Sequence, residues 1–300
     1  MMGSSLKRWR KFLSRIISVI VIAVLGYWIW QNHTVIIKIF TEIQTVTLIE
    51  VFLLITLSIF FQTVSFTLLI RGMGYPFGYT DSYHSLNLSQ IAAMVPGKIW
   101  GFAGLAGLLW SRGISKSDSI MIISLQTLLM LSAAVFVGTF GLIPAVGWHY
   151  TLITLVPVSF LLLRHSWSDY LRCRFFPNSS PLPSPFILLI TLGVGIISWI
   201  TVSAGFFLIV FSAEGKSSAF PLIIISSFSA GYVAGFISLI TPSGLGVREG
   251  VIALILEPFI GREKALGLAI VFRIIHMTVL YLNIFITLLI LSFEKEDKES

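Results

Sequence analysis

Long apolar runs without charged residues dominate this sequence and limit what the chain can fold into. About seven such runs are present, and a helix of about 20 apolar residues is what a bilayer span requires. Hydrophobic residues make up 56% of the 300 residues and charged residues 11%, whereas soluble domains carry about 25% charged residues. A chain of this composition cannot cover a water-facing surface. The sequence therefore predicts an all-α, polytopic integral membrane protein.

The predicted spans follow from the apolar runs and their polar boundaries. Seven transmembrane helices are predicted at about residues 16–30, 48–70, 119–140, 143–163, 186–211, 220–240 and 265–293. The first run follows a basic cluster, as in a signal peptide, but no small-residue cleavage site follows it, and Trp28 and Trp30 are typical of an interfacial anchor. We therefore expect a retained span, one transmembrane domain over residues 1–293, and a charged, disordered tail at 294–300.

Two apolar segments are interrupted by residues that break helices and carry charge. One contains Val95-Pro-Gly-Lys98, and the other is the stretch Thr241–Gly250, with a proline, three glycines, a cation and an anion. In a bilayer, broken backbone is tolerated only where protein or a water-filled cavity satisfies the freed polar groups. Charged side chains at membrane depth are functional candidates by default. We predict that both segments are re-entrant, broken helical hairpins.

The distribution of basic residues favours re-entry of both segments from the cytoplasmic side. In that topology thirteen of the twenty Lys and Arg residues lie inside, four lie outside and three lie at membrane depth. If both segments crossed the membrane, nine would lie inside and eight outside. The positive-inside rule therefore favours re-entry, with the N-terminus in the cytoplasm and the protein in the cell inner membrane. This topology places Lys38 outside, and Arg262 and Lys264 inside.

The same topology predicts an internal pseudo-repeat, at about residues 48–140 and 220–293. Each unit has a span, a broken hairpin with a proline and a cation, a short basic turn and a second span. Gln126 and Arg273 fall at matching positions of the two units. Because the units have the same orientation in this topology, the predicted pseudo-two-fold axis lies along the membrane normal.

The breaks predict an anion site. Broken helices present free backbone N–H groups and the positive end of a helix dipole, and Arg and Lys bind phosphate oxygens. The predicted substrate-binding residues are Gly97, Lys98, Gly244, Gly246, Arg248, Glu249 and Arg273.

Structural roles are the alternatives for the charged members of this set. Arg248 and Glu249 could form a structural pair, Arg273 could be the buried partner of Glu249 or Glu257, and Lys98 could extend to the inner surface. His276, about one helical turn from Arg273, is expected to be a packing residue that could extend the site.

No enzyme signature is found in the sequence. It shows no Ser-His-Asp arrangement, paired carboxylates, His/Cys metal cluster or phosphate loop of nucleotide hydrolases. We therefore expect no enzyme activity, no cofactor and no metal. The single cysteine, Cys173, excludes a disulfide framework. The net charge of +7 lies beside predicted helix ends, which indicates anionic lipid and not nucleic acid as the partner.

Three pieces of the sequence resemble the flippase-like family typified by the transmembrane region of lysylphosphatidylglycerol synthase. They are Val95-Pro-Gly-Lys-Ile-Trp-Gly101, Ser111-Arg-Gly-Ile-Ser-Lys116 and Pro242-Ser-Gly-Leu-Gly-Val-Arg-Glu249. The resemblance covers about residues 10–292 and implies lipid translocation, or lipid handling for cell-envelope glycans, with cationic positions at Lys98, Arg248 and Arg273. The chain departs from the family at Gln126-Thr127, where an acidic–basic pair is common. It also lacks the synthase's aminoacyl-transferase domain, so synthase activity is not expected.

The sequence thus leaves three hypotheses for function. The first is a flippase-like translocase for a phosphate-bearing lipid, either an anionic phospholipid or a polyprenyl phosphate, in cell-envelope biogenesis. The second is a non-transporting membrane partner that presents lipid to a glycosyl- or aminoacyl-transferase. The third is a membrane-embedded transferase, against which the missing acid–base pair argues.

Overall fold

A computed structural model of the chain describes residue 30 and residues 33–93, 99–141, 173–176, 179–214, 220–238 and 244–299. The predicted spans at 16–30 and 143–163 lie outside these ranges, apart from residue 30. The break at Pro96-Gly97-Lys98 and the first part of the break at Pro242 also lie outside them. The regular secondary structure of the described residues is entirely helical, which agrees with the all-α prediction.

Four of the described helices are long and apolar enough to cross a membrane. They are α2 (Thr45–Gly72), α5 (Lys116–Phe140), α6 (Pro185–Glu214) and α9 (Arg262–Glu299). Each contains an 18-residue window with a mean hydropathy of 2.1 to 2.3. Lipid is the only solvent in which such helices can leave so many large apolar side chains at their surface. The protein is therefore a polytopic membrane protein.

The remaining described helices are shorter: α1 (His33–Glu42), α3 (Tyr79–Ala93), α4 (Ile99–Ser111), α7 (Pro221–Ile237) and α8 (Val247–Ile260). The 17 residues of α7 rise by about 26 Å at about 1.5 Å per residue. This is less than the hydrocarbon thickness of about 30 Å. The span predicted over residues 220–240 is therefore not among the four candidate spans, and the predicted total of seven stays a prediction.

Among the described helices, the most extensive interface joins α2 and α6 as antiparallel neighbours. Ser65 Oγ donates to the carbonyl oxygen of Thr191 at 3.2 Å, and Ser198 Oγ donates to that of Ser58 at 2.9 Å. The residue number rises along one helix as it falls along the other, which defines the antiparallel arrangement. Small hydroxyl residues allow close approach and bond across helices, as is usual in membranes.

One end of the molecule is organised around the Asp118 carboxylate and is called the Asp118 end below. The buried Asp118 accepts hydrogen bonds from Tyr75 Oη at 2.5 Å, from Ser115 Oγ at 2.9 Å and from the Ser180 backbone N–H at 2.6 Å. These partners lie after α2, before α5 and before α6. Asp118 therefore joins three connecting segments at this end through hydrogen bonds, and no cation is paired with it among the described residues.

The opposite end contains the ion pair of Lys264 with Glu214 and is called the Lys264 end below. Lys264 Nζ lies 2.7 Å from Glu214 Oε1 and donates to the Ala213 carbonyl oxygen at 3.3 Å. The pair links the end of α6 to the beginning of α9. A cavity of about 880 Å³ lies here, lined by Lys38, Ile39, Glu42, Ser212, Ala213, Glu214, Ile260, Gly261, Arg262, Glu263 and Lys264.

Four of the short helices form two antiparallel pairs. The two pairs have their outer ends at opposite ends of the molecule. The first pair, α3 and α4, has its outer ends at the Asp118 end, where Arg112 Nη1 lies 2.6 Å from Asp81 Oδ1. The second pair, α7 and α8, has its outer ends at the Lys264 end, where the rings of Phe220 and Phe259 lie 4.6 Å apart. The outer ends of the first pair thus lie together at the Asp118 end, and those of the second pair lie together at the Lys264 end.

This arrangement corrects the predicted topology. The prediction placed Lys38 outside, and Arg262 and Lys264 inside, but all three line the same cavity at the Lys264 end. The prediction also had both broken segments enter the membrane from the same side, whereas the outer ends of the two helix pairs lie at opposite ends of the molecule. The physical reason is that α7 and α8 form an antiparallel pair, so that Phe220, at the beginning of α7, and Phe259, near the end of α8, lie together at the Lys264 end.

The helix lengths also bear on the predicted repeat. The described order long, short, short, long occurs in α2 to α5 and again in α6 to α9, and α2 has 28 residues and α6 has 30. In this order the counterpart of α2 is α6, which runs in the opposite direction. The predicted repeat matched residues 48–70 to residues 220–240 in the same direction. The repeat boundaries themselves stay a prediction.

Candidate functional site

The described part of the second break forms the beginning of α8. Gly246 precedes the helix with a φ of 81°, and its backbone N–H donates to Glu249 Oε2 at 2.8 Å. A carboxylate at the third helical position commonly accepts this bond, because the first N–H groups of a helix have no partner within it. Glu249 therefore stabilises the beginning of α8.

Gly244 brings the break into backbone contact with α7. Its φ is 69°, and a methyl group at this position would lie 2.7 Å from the Cα atom and 2.8 Å from the carbonyl oxygen of Gly235. A side chain at Gly244 would be strained in this left-handed conformation and would also collide with α7. Gly244 and Gly235 are thus required by the close approach of the break to α7.

Glu249 is paired with Arg273 of α9. Arg273 Nη1 donates to Glu249 Oε1, and the side chains are 12% and 2% exposed, respectively. The two Glu249 oxygens are thus used by different partners, Gly246 and Arg273. This decides between the alternatives for Arg273, because its acidic partner is Glu249 and not Glu257 among the described residues.

Arg248 has a different environment. Its guanidinium carbon lies 4.5 Å from the ring centroid of Phe228 and 5.0 Å from that of Tyr232, both on α7. The residue is 8% exposed. Among the described residues, no carboxylate oxygen lies within 4.0 Å of the guanidinium and no hydrogen bond from it is formed. The predicted alternative of an Arg248–Glu249 pair is therefore wrong, since Glu249 bonds to Arg273.

Aromatic side chains surround these charges. The rings of Phe206 and Phe228 each pack against Phe272, at 5.3 and 5.0 Å between centroids, and His276 stacks on Phe272 at 6.2 Å. His276 thus has a packing contact, as expected. Tyr232 packs edge-on against Trp199 at 4.5 Å. An apolar wall of this kind excludes water, so each charge acts at a low effective dielectric constant.

The structure brings together five of the seven predicted site residues: Gly244, Gly246, Arg248, Glu249 and Arg273. The other two, Gly97 and Lys98, lie outside the described residues. That these five contact a ligand stays a prediction. Sequence reasoning missed Phe228 and Tyr232, which hold the Arg248 guanidinium. Their spacing of four residues, within the apolar run that precedes the break, was the available signal, because it places both rings on one helix face.

The first half of the chain has no charge at the position that corresponds to Arg273. Gln126 is buried on α5, and its Nε2 donates to Ser65 Oγ at 3.4 Å.

Among the described residues, no three His, Cys, Asp or Glu side chains converge in a metal-binding group. The charged cluster, which consists of Arg248 and Glu249 of α8 and Arg273 of α9, is suited to hold an anion by charge and hydrogen bonding.

Comparison with known proteins identifies the family. No match to a curated protein is found. The family model described as the lysylphosphatidylglycerol synthase transmembrane region matches residues 15–283. This match confirms the resemblance drawn from the three pieces of sequence. The chain therefore belongs to the family of the lysylphosphatidylglycerol synthase transmembrane region.

Proposed function

We propose that this protein is a membrane-embedded lipid translocase that binds the phosphate-bearing head group of an anionic phospholipid or a polyprenyl phosphate. The observation that carries the proposal is the environment of Arg248. It is a buried cation that stacks on Phe228 and Tyr232 and has no acidic partner among the described residues. The family itself supports a membrane protein related to lipid handling.

The chemistry of Arg248 favours a phosphate. Stacking on aromatic rings uses the face of the guanidinium, so its N–H groups, which lie in the plane of the group, are left for an acceptor. Those N–H groups match the oxygens of a phosphate in a two-point contact. The beginning of α8 adds the positive end of a helix dipole beside it. The neighbouring Arg273 is neutralised by Glu249, so Arg248 supplies the uncompensated charge.

The two short helix pairs support a translocation mechanism. Because they return to opposite ends of the long helices, a cavity at one pair can open towards one membrane surface while the other stays closed. Discontinuous helices at the centre of a transporter commonly form its substrate site. In this mechanism both pairs are re-entrant, the head group passes along the polar interior, and the acyl chains stay in the surrounding lipid.

The orientation in the membrane follows from the basic N-terminal cluster. We place the N-terminus and the Asp118 end on the cytoplasmic side of the cell inner membrane, in line with the positive-inside rule. The Lys264 end then faces outward.

A reconstitution experiment tests the proposal. The protein is placed in liposomes that contain an anionic phospholipid with a fluorescent acyl chain, and a membrane-impermeant reductant reports the lipid that reaches the outer leaflet. Arg248→Ala should slow transfer about ten- to a hundredfold, since a hydrogen bond to a charged group contributes about 1.5–3 kcal/mol.

Two variants serve as controls. Arg248→Lys keeps the charge and should retain part of the rate, whereas Arg262→Ala, at the exposed surface of the Lys264 end, should leave it unchanged. A rate for Arg248→Ala equal to that of the wild type would refute the proposal. Wild-type protein that binds the lipid without transferring it would instead support the alternative, a non-transporting partner of a glycosyl- or aminoacyl-transferase.

A further inference from the structure

Helix α3 buries polar side chains along one third of its length. Five of its fifteen residues are buried and polar: Ser82, His84, Ser85, Asn87 and Ser89. Polar side chains inside a membrane protein commonly bond across helices or line a substrate pathway. Among the described residues, the charged side chains of the first pair, Asp81 and Arg112, lie at its outer end. The interior surface of α3 is therefore suited to hydrogen bonding and not to charge recognition.

Four neutral side chains of α3 and α9 form what we call the α3–α9 seam: Tyr83, Asn87, Asn283 and Thr287. Tyr83 Oη donates to Asn283 Oδ1 at 2.6 Å, and Asn87 Nδ2 donates to Thr287 Oγ1 at 3.1 Å. Asn87, Asn283 and Thr287 are buried. The seam is thus a continuous neutral polar contact between the first helix pair and the last long helix.

The seam lies on the same face of α9 as the charged site. Arg273, His276, Asn283 and Thr287 follow one another at intervals of three, seven and four residues, which is the spacing of a single helical stripe. Asn283 and Thr287 lie about 15 Å and about 21 Å along the helix from Arg273, at a rise of about 1.5 Å per residue. One face of α9 therefore connects the Glu249–Arg273 pair to the first helix pair.

Beyond its two interhelical bonds, the seam also bonds within α9, where Asn283 Nδ2 donates to the Val279 carbonyl oxygen at 2.8 Å and Thr287 Oγ1 donates to that of Asn283 at 2.9 Å; one N–H of each amide remains for a further acceptor. An amide has two N–H donors and a carbonyl acceptor, and a hydroxyl has one donor and two acceptor sites. The bonds between the helices can therefore be exchanged for bonds to hydroxyl groups of a ligand without leaving a buried polar group unpaired, which would be the costly outcome. Carboxylates and phosphates would find no charged group in the seam.

We infer that the α3–α9 seam is a second binding site on the path of the head group, and that it recognises hydroxyl groups of a glycerol or a sugar alcohol. The inference rests on the proposed function, because it assigns the charged and the neutral part of one head group to two places. Arg248 binds the phosphate, and the seam binds the neutral hydroxyl-bearing part as the lipid crosses. Selection among anionic lipids is then made at the seam.

Three lipids of equal charge test this inference in the liposome assay. Phosphatidylglycerol and phosphatidylinositol carry hydroxyl groups beyond the phosphate, and phosphatidylethanol carries none. The wild type should transfer one or both of the first two about five- to tenfold faster than phosphatidylethanol, the range expected for one or two hydrogen bonds. The faster of the two identifies glycerol or the sugar alcohol as the source of the hydroxyl groups.

The test variant is Tyr83→Phe/Asn283→Leu, which replaces both partners of one bond by apolar groups of similar shape. Such double replacements are often nearly neutral for stability. The preference should fall to about twofold or less while the phosphatidylethanol rate stays within about twofold of the wild type, because only the hydrogen bonds to hydroxyl groups are lost. Thr201→Val is the matched control, since the Thr201 hydroxyl bonds within its own helix, to the Ile197 carbonyl oxygen at 2.7 Å.

The outcomes separate this inference from the proposed function. A wild type without preference among the three lipids, or a variant that slows all three equally, would overturn the seam as a recognition site. Rates that are unchanged in Arg248→Ala would overturn the proposed function instead. If Arg248→Ala stops the transfer of all three lipids and the seam variant loses only the preference among them, the results support both the inference and the proposed function.

Discussion

The two short helix pairs have similar geometry and opposite chemistry. In the described part of the first pair, the ion pair of Asp81 and Arg112 lies at the outer end, with side chains 50% and 26% exposed, and α3 buries serine, histidine and asparagine side chains. In the second pair α7 is largely apolar, and the charges of Arg248 and Glu249 are buried at the inner end of α8. Among the described residues, both pairs thus bury hydrogen-bonding side chains, and the buried charges lie in the second pair.

This difference shows how a membrane protein can handle a ligand that is charged at one end and neutral at the other. A buried charge is costly in a membrane, so it is kept to a small region with aromatic and ionic support. Neutral polar groups are less costly and can extend further. The charged cluster therefore occupies one pair, and α9 carries a polar stripe from it to the other.

The largest effect is expected from a test of the opposite directions of the two pairs. Ser111→Cys, at the outer end of the first pair, and Glu263→Cys, beside the second, are made separately in a Cys173→Ser protein, because Cys173 is exposed. A membrane-impermeant maleimide applied to sealed vesicles of known orientation should label them from opposite sides. Labelling of both from the same side would restore the topology in which both broken segments enter together.

A second test compares the two ion pairs. Glu249→Gln removes the carboxylate that bonds to the buried Arg273, and we expect it to lower the free energy of unfolding by about 3–5 kcal/mol. Asp81→Asn breaks the partly exposed pair of the first helix pair and should cost about 0–1 kcal/mol. Unfolding in detergent, followed by tryptophan fluorescence, measures both.

The double variant Glu249→Gln/Arg273→Gln sharpens this second test. Removal of both charges should recover part of the lost stability, because the cost of Glu249→Gln comes mainly from the uncompensated cation. Equal destabilisation by Asp81→Asn and Glu249→Gln would mean that the two pairs do not differ in the way described.

A third test compares the glycines that let the arms of each pair approach. Gly244→Ala forces a left-handed conformation and a backbone collision with Gly235, and we expect it to cost about 2–4 kcal/mol from strain and overpacking together. At Gly104 the added methyl would meet only Ala92 Cβ, at 2.7 Å. Because Ala92 Cβ is rigidly attached to the backbone, α3 and α4 must move apart to accept the methyl group, at a cost of about 1–3 kcal/mol. Alanine is favoured over glycine in a helix by about 1 kcal/mol, so the net cost of Gly104→Ala should be about 0–2 kcal/mol.

Gly107→Ala is the control for helix propensity, because no atom lies within 4 Å of the added methyl group. It should be neutral or slightly stabilising in the same unfolding measurement. If Gly104→Ala proved as costly as Gly244→Ala, the first helix pair would be as tightly packed as the second.

Much of the candidate site was readable from the sequence, because its residues come from the irregular segment around Gly244 and Gly246. A proline, glycines and adjacent charges in an apolar run indicate a break and a site at the same place. The pairing inside the site was not readable. Glu249 follows Arg248 in the chain, yet it bonds to Arg273, because consecutive residues point to different faces of a helix.

The direction of the second pair was not readable from charge either. If the second pair enters from the outside instead, Arg262 and Lys264, at the beginning of α9, move outside. Lys295 and Lys298, near the end of α9, then move inside. Because two basic residues replace two others, the count of thirteen against four is the same for both topologies. The positive-inside rule therefore could not distinguish them.

The sequence by itself determined the membrane environment, the helical class, the family and the position of the second break, because each depends on local composition or on a short run of residues. Only the tertiary structure decided which way the second pair faces, which cation is neutralised by Glu249 and which is held by the rings of α7. These features depend on contacts between helices that are distant in the chain. Packing selects such contacts, and no local pattern of residues encodes them.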